Sequence, residues 1–523
     1  MRLKTLLLPA MFVCSVVGVH IAQAQLPPPK TPVLQLGKSV QGEAACSATE
    51  VSSCAQAAAK IMPIVMGQSP LEENLRRLTD EIGGRVTGSP EMAKAVEWGL
   101  GSFRAAGVDV HTEKYTLPTA WSEGETRLEL SGPVKFPISL VSAGLSPTTP
   151  AGGIEAPVID IGYGTEADFA KAGASIKGSL LLVHSNIGAT WADLFEEYST
   201  PPAIIAQAVK GGAGAILWTG ARERKLLYRH TNSSDGGPEL LPEAVLARED
   251  AMRLARTVAG HPGAVRARLT MSNKLSGPVE QLNVVGEIRG YEKPDEIVVL
   301  AAHLDSWELG TGALDNGCNA AMVIEAARAI KASGLLPRRT IRFILFSGEE
   351  QGMVGSFGYV KAHRAEMDKY RGVIVFDTGI GRVTGFSLGG RQDIEAGVHE
   401  ILKPFTGWGA DNNTVDMEWG TDHFDFMLEG VPTLVANQEI ANYLQNYHAA
   451  SDTLDKVDFR ELKLNTVLAA VTAWGIADHV EPLGKRLTRA ELDVLVKATG
   501  FDQVLKVQGY WNDWQSGARG RKD

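Results

Sequence analysis

Five short stretches place metal-binding side chains beside apolar runs: His303-x-Asp305, Asp315, Glu349-Glu350, Asp377 and Tyr447-His448. Imidazoles and carboxylates together make a mixed nitrogen and oxygen donor set, suited to zinc or another divalent first-row metal. Five ligands are more than one catalytic zinc uses, so two ions sharing a carboxylate fit the arithmetic better. Such paired ions are a known solution for hydrolysis. Glu349 and Glu350 are adjacent and cannot both reach one ion from a regular strand. One is therefore read as a ligand and the other as a general base. Asp305, two residues beyond His303, is placed to accept the ring's other N–H and fix its tautomer. A lone His-x-Asp or Glu-Glu is usually solvated surface. The conjunction of several such pieces at successive strand ends is what carries weight.

The elements that must position these residues are legible around them. Ile297 to Ala302 is a β-branched, apolar run that reads as a buried strand of a parallel sheet, ending on His303. Open α/β sheets place ligands in the loops at the carboxyl ends of such strands. Thr340 to Phe346 and Val373 to Phe376 are predicted strands leading to Glu349 and Asp377, and Val431 to Ala436 is a further apolar run. Asn319 to Ala332 is predicted helical, with Val323, Ala326, Ala327 and Ile330 on one face, as is Val457 to Val480 with Leu464, Val467, Leu468 and Val471. This alternation predicts an α/β sandwich, with helices flanking a mixed, largely parallel central sheet.

Upstream, the run from Ser69 offers a helix start, Met92 to Ala105 a helix and Val108 to Tyr115 a strand. Residues 123–278 change character. Short strand-like runs (Ala156 to Ile161, Ser179 to His184, Ala215 to Trp218) alternate with Gly-rich turns and a helix-like Ala203 to Val209. This block holds no compact cluster of His and acidic residues and is read as an inserted domain. The catalytic domain is then split into residues 66–122 and 279–485, followed by a C-terminal extension, 486–523. In that extension Trp511 and Trp514 are expected to pack onto the domain, and residues 515–523 to fray.

A net charge of −10 argues against nucleic acid as a partner, because phosphate binding needs a basic face. Arg2 and Lys4, the apolar run Leu6 to Val19 and then Ala22-Gln23-Ala24 have the layout of a secretory signal peptide, cut after Ala24. The run is short for a bilayer span. The mature protein is thus expected to be secreted or periplasmic, with no membrane association once the signal is removed. Residues 25–65 are read as a surface arm. Cys46 and Cys54 form a close pair able to make a disulfide in an exported protein, and Cys318 reads as a buried small residue. Histidines outside the five stretches other than His423, His230 among them, read as surface or structural.

Taken in order, His303-x-Asp305, Gly312-Ala-Leu-Asp315-Asn-Gly317, Gly348-Glu349-Glu350-x-Gly352, Asp377 and Tyr447-His448 resemble the co-catalytic zinc exopeptidases of the aminopeptidase Y and plasma glutamate carboxypeptidase (carboxypeptidase Q) type. The runs Leu78 to Ser89 and Gly420 to Phe426 are similar to that family too, and the insertion resembles a β-rich protease-associated domain. The resemblance spans roughly residues 70–480. It implies two Zn²⁺ ions bridged by Asp315, one also held by His303 and Asp377 and the other by Glu350 and His448. It further implies Glu349 as the general base, Asp305 as the partner of His303, Tyr447 as the oxyanion donor and a cis peptide bond after Asp315. Asp422 and His423 are expected to line the site. The implied substrates are peptides, attacked at a free amino terminus. The alternatives are a carboxypeptidase or dipeptidase of the carboxypeptidase Q type, a single-zinc glutaminyl cyclase, and a non-catalytic binding protein on the same fold.

Overall fold

The protein is described here from a computed structural model covering residues 48–523. The strand Lys293–His303 lies at the centre of a seven-stranded sheet. The order across that sheet is Asp109–Leu117, Val279–Ile288, Arg339–Phe346, Lys293–His303, Tyr370–Val375, Thr433–Gln438, Val383–Ser387. The four strands from Arg339–Phe346 to Thr433–Gln438 are mutually parallel, and the outer pairings are antiparallel.

The central strand is apolar at consecutive positions because both of its faces are covered. Val298, Leu300 and Ala302 enter one core, shared with the helices Ala48–Met66, Cys318–Ala332 and Phe459–Asp478. Ile297, Val299 and Ala301 enter another, with Tyr359 and Val360 of the helix Val354–His363. Burying each of the Val, Leu and Ile side chains among them contributes roughly 1.5–3 kcal/mol. Period-two alternation thus feeds two cores, giving an α/β/α sandwich.

Strand register decides which residues share the functional edge. His303 pairs with Phe346 on one neighbour, and Ala301 pairs with Val375 on the other. The loops beginning at Ser347 and Phe376 therefore open beside His303, bringing Glu349, Glu350 and Asp377 to one end of the sheet.

A second seven-stranded sheet is drawn from residues 126–271, in the order Thr126–Ser131, Arg266–Met271, Ile154–Asp160, Leu180–Val183, Ala215–Thr219, Glu243–Leu246, Leu140–Ser142. Its four strands from Ile154–Asp160 to Glu243–Leu246 run parallel. Helices Glu166–Ala172, Trp191–Ser199, Pro201–Gly211 and Arg248–Gly260 accompany them. A two-stranded ribbon, Ala120–Ser122 with Lys274–Ser276, joins the chain's entry into this unit to its exit.

Two expectations from the sequence need correction. The predicted surface arm from residue 48 onward belongs instead to the helix Ala48–Met66, which is part of the main core. Ala57, Ala58, Ile61 and Val65 recur at helical spacing and are buried there, their small side chains allowing close packing. The end of the chain is not frayed. The Arg519 guanidinium sits over the rings of Phe357, Phe424 and Tyr510 at 4.3, 5.4 and 4.4 Å and lies 2.8 Å from Asp425 Oδ1, which anchors the last turn. Trp514 is buried. The proposed signal segment, the first part of the arm and Cys46 lie outside the described residues. No helix among the described residues is long and apolar enough to cross a membrane.

Candidate metal centre

His303, the last residue of the central strand, is 1% exposed. Its Nε2 lies 2.9 Å from Asp377 Oδ1 and 3.2 Å from Asp315 Oδ1. The other oxygen of the same carboxylate, Asp315 Oδ2, lies 3.2 Å from His448 Nε2, which is 2.8 Å from Glu350 Oε2. Asp315 therefore faces both imidazoles, one oxygen to each. Two ligand atoms about 2.0–2.1 Å from one tetrahedral zinc are roughly 3.3 Å apart, which matches these spacings. Asp315 Oδ2 and Glu350 Oε1 are buried and make no hydrogen bond. A buried carboxylate oxygen left without a donor is free to bind an ion. The residues present fit divalent metal, with His303, Asp315 and Glu350 close enough to share an ion.

Electrostatics point the same way. Burial, followed by repulsion from Asp377, Asp422 and Glu350, pushes the Glu349 carboxyl well above the usual range despite His303. Burial, then Asp315, raises Glu350 to about 7 despite His448. Against the cost of burial, the His303 and His448 imidazoles hold Asp315 low. So many carboxylates packed this tightly need positive charge among them.

The supporting contacts explain the local sequence. Nδ1 of His303 is 3.1 Å from the backbone carbonyl of Asp305, whereas the Asp305 carboxylate is 3.6 Å away. That carboxylate instead accepts the backbone N–H groups of Glu349 and Glu350, at 3.4 and 3.3 Å. Asp305 thus orients the ring through its main chain and the Glu-Glu turn through its side chain. Asp452, which sequence reasoning passed over, accepts the N–H groups of Leu314 and Asp315 at 2.6 and 3.1 Å. Asn316 Nδ2 donates to the Phe376 carbonyl at 2.9 Å, and the Asp315–Asn316 peptide bond is cis. Arg85, fully buried, donates to the carbonyls of Leu304, Thr311 and Gly312 and so ties the upstream Gly-Gly-Arg turn to the ligand loop. Gly312 has φ 59°, and a Cβ there would meet that of Ser306 at 2.3 Å, so the loop admits only glycine.

His448 is held differently. It has φ 57°, and its Nδ1 donates to the backbone carbonyl of Arg229 at 3.0 Å, which leaves Nε2 for a metal. The Arg229 N–H returns a bond to the His448 carbonyl at 3.0 Å, Tyr228 bridges to Ala449, and Ala450 N–H reaches the Leu227 carbonyl. Residues 227–229 belong to the inserted unit. The Tyr447 ring stacks on His448, with centroids 3.7 Å apart and planes at 22°.

A cleft opens over the cluster. It is lined by Asp315, Glu349, Glu350 and Asp377 on one side, by Trp191, Leu194, Phe195 and Tyr198 of the inserted unit on another, and by Asp416, Glu418, Trp419 and Thr421 beyond. Asp422 and His423 do not line it; they are buried, with His423 Nε2 facing the Glu418 carbonyl at 3.2 Å. Cys318 is buried beneath the ligand loop. His230 is buried against Tyr198, its ring 4.5 Å away, and 6.4 Å from that of His448. The inserted block reaches the site with Trp191, Leu194, Phe195, Tyr198 and His230. A search for clustered His and acidic residues could not have found them. The amphipathic spacing of Trp191, Leu194, Phe195 and Tyr198 was the available signal.

Residues 283–473 match the model of Peptidase family M28. The chain is 29% identical over 441 residues to carboxypeptidase Q of Homo sapiens, covering 83% of this chain and 91% of that protein. It is 27% identical over 307 residues to aminopeptidase YwaD of Bacillus subtilis, covering 58% of this chain and 59% of the relative. Among solved structures, a Peptidase M28 precursor of Shewanella amazonensis superposes with a TM-score of 0.75 at 26% identity, over 84% of this chain and 99% of that one.

Proposed function

We propose that the chain is a member of the co-catalytic zinc exopeptidase family and an exported two-zinc aminopeptidase removing residues from the free amino terminus of peptides. The observation that carries this reading is the charge of the cleft. Beyond the ligands it presents Asp416 and Glu418, and among the described lining residues there is no Lys or Arg. A substrate ammonium would find partners there, whereas a substrate carboxylate would find none. Burial raises Glu418 to about 7, and a cationic guest would restore its charge.

Asp315 would bridge the two ions, with His303 and Asp377 completing one set and Glu350 and His448 the other. When bound, the ions supply Lewis-acid activation of a water and of the scissile carbonyl. Glu349 takes the proton of the attacking water and delivers it to the leaving amine. Glu349 Oε2 is 3.8 Å from His303 Nε2, beside the ion that His303 would hold, while Glu350 lies against His448. Tyr447 donates a hydrogen bond from its hydroxyl to the oxyanion. Trp191, Leu194 and Phe195 favour an apolar side chain next to the scissile bond. The inserted unit is read as a protease-associated domain. The place of action is read as secreted or periplasmic from the layout of residues 1–24.

A carboxypeptidase or dipeptidase is the second reading, favoured by the name of the relative matched over 91% of its length. Mass spectrometry of an unblocked hexapeptide and its N-acetylated twin, with zinc-loaded enzyme and with chelator, separates the two. Stepwise loss from the free amino end, abolished by acetylation and by chelator, is expected. Loss from the carboxyl end of both peptides would overturn the aminopeptidase reading. Chelator-insensitive cleavage would overturn the zinc mechanism.

A further inference from the structure

Helix Trp191–Ser199 belongs to the inserted unit, yet one face of it forms a wall of the metal cleft. Trp191, Leu194, Phe195 and Tyr198 stand at i, i+3, i+4 and i+7, and all four line the cleft. A capping box fixes the start of the helix: Asp193 N–H donates to Thr190 Oγ1 at 3.2 Å, and Thr190 N–H donates to Asp193 Oδ2 at 2.8 Å.

At its far end, Tyr198 Oη lies 2.5 Å from Tyr447 Oη, a contact spanning 249 residues of sequence. The Tyr198 ring is wedged against His230 at 4.5 Å and Trp419 at 5.7 Å. The Tyr447 ring is fixed by its stack on His448 and by Tyr443 at 5.3 Å. Ring packing sets where each hydroxyl oxygen sits but not which way each O–H points. Each phenol has a single proton, so only one of the two can donate across this contact.

We propose that Tyr198 is a positioning residue of the hydrolytic site. Its hydroxyl donates to Tyr447 Oη and leaves the Tyr447 proton free to point at the carbonyl oxygen of the scissile bond. With the opposite polarity, Tyr447 would spend its proton on Tyr198 and offer the substrate only lone pairs. As negative charge develops on the carbonyl oxygen, the chain Tyr198 to Tyr447 to oxyanion gains strength cooperatively, because each bond polarises the next. The inserted unit therefore supplies part of the oxyanion apparatus as well as a wall. The inference rests on the reading of Tyr447 as oxyanion donor, and the test separates the two.

Tyr198→Phe, Tyr447→Phe and the double variant are prepared as zinc-loaded full-length enzymes. They are compared by kcat and KM on the unblocked peptide, by metal content and by thermal midpoint. Phe keeps the ring contacts to His230 and Trp419, so fold and metal content should be retained. Tyr198→Phe should lower kcat on the order of tenfold while KM stays within about twofold, the pattern of an interaction made in the transition state. The double variant should be no slower than Tyr447→Phe alone, since Tyr198 has nothing to act on without the second hydroxyl. A Tyr198→Phe rate within about twofold of wild type, beside a slow Tyr447→Phe, would overturn the positioning role and leave the oxyanion assignment standing. Independent, multiplying losses in the double variant would overturn it as well. A Tyr447→Phe enzyme at wild-type rate would instead sink the oxyanion assignment, and the proposal with it.

Discussion

The two imidazoles of the metal centre are anchored in opposite ways. His303 terminates a strand buried on both faces, and its Nδ1 is oriented by a carbonyl two residues away, at Asp305. His448 sits in a loop at positive φ, and its Nδ1 is oriented by Arg229, 219 residues distant. One half of the centre is thus built by local chain geometry on a rigid sheet. The other half depends on a hydrogen bond from a segment distant in the sequence. The segment of Arg229 thus orients a candidate metal ligand, and the His448 half should be the weaker.

Variants can break or sharpen that contrast. Asp315→Ala removes the carboxylate facing both halves and should abolish it altogether, with both ions lost and turnover down at least on the order of a thousandfold. Metal analysis by plasma mass spectrometry beside kcat checks this. Glu349→Gln should keep both ions while lowering kcat about 10²–10⁴-fold. A Glu349→Gln enzyme that turned over normally would show that another group moves the proton.

Arg229→Met addresses the contrast directly. The Arg229 side chain is fully buried between Glu123, at 2.6 Å, and Glu308, and pins the segment that holds His448. Its loss should cost roughly 3 kcal/mol by urea unfolding, at the lower end for a broken buried pair because both acids are partly exposed. Zinc stoichiometry should fall from two towards one, with the ion at His303 retained. Equal loss from both positions would show that the halves are not independently anchored.

Asp452→Asn replaces one acceptor of the ligand loop by a donor facing a backbone N–H. It should destabilise by about 1–3 kcal/mol and affect both ions alike. Asp458→Ala removes the N-cap of helix Phe459–Asp478, whose side chain accepts from Arg460 and Glu461 N–H groups at 2.9 and 3.1 Å. A loss of about 1 kcal/mol with unchanged zinc content is expected, which provides the control for stability effects remote from the metals.

Much of the fold is written in local patterns. The consecutive apolar residues Ile297 to Ala302 mark a strand covered on both faces, and Ala57, Ala58, Ile61 and Val65 carry a helical stripe that the reading of residues 25–65 as an arm overlooked. The Arg519 anchor was invisible because a charged residue near a chain end is held by rings from distant segments, a contact no period encodes.

The sequence alone determined the donor types, their order and the strands that carry them. These depend on side-chain chemistry and on hydrophobic period, both local properties. The tertiary structure decided how the donors are used. Asp305 grips the Glu349-Glu350 turn by its carboxylate and His303 by its carbonyl, Asp452 holds the loop of Asp315, Arg229 turns His448, and Tyr198 meets Tyr447. Contacts that join loops hundreds of residues apart depend on how distant parts of the chain pack together. That is fixed by the summed packing of those parts and by no single stretch of chain.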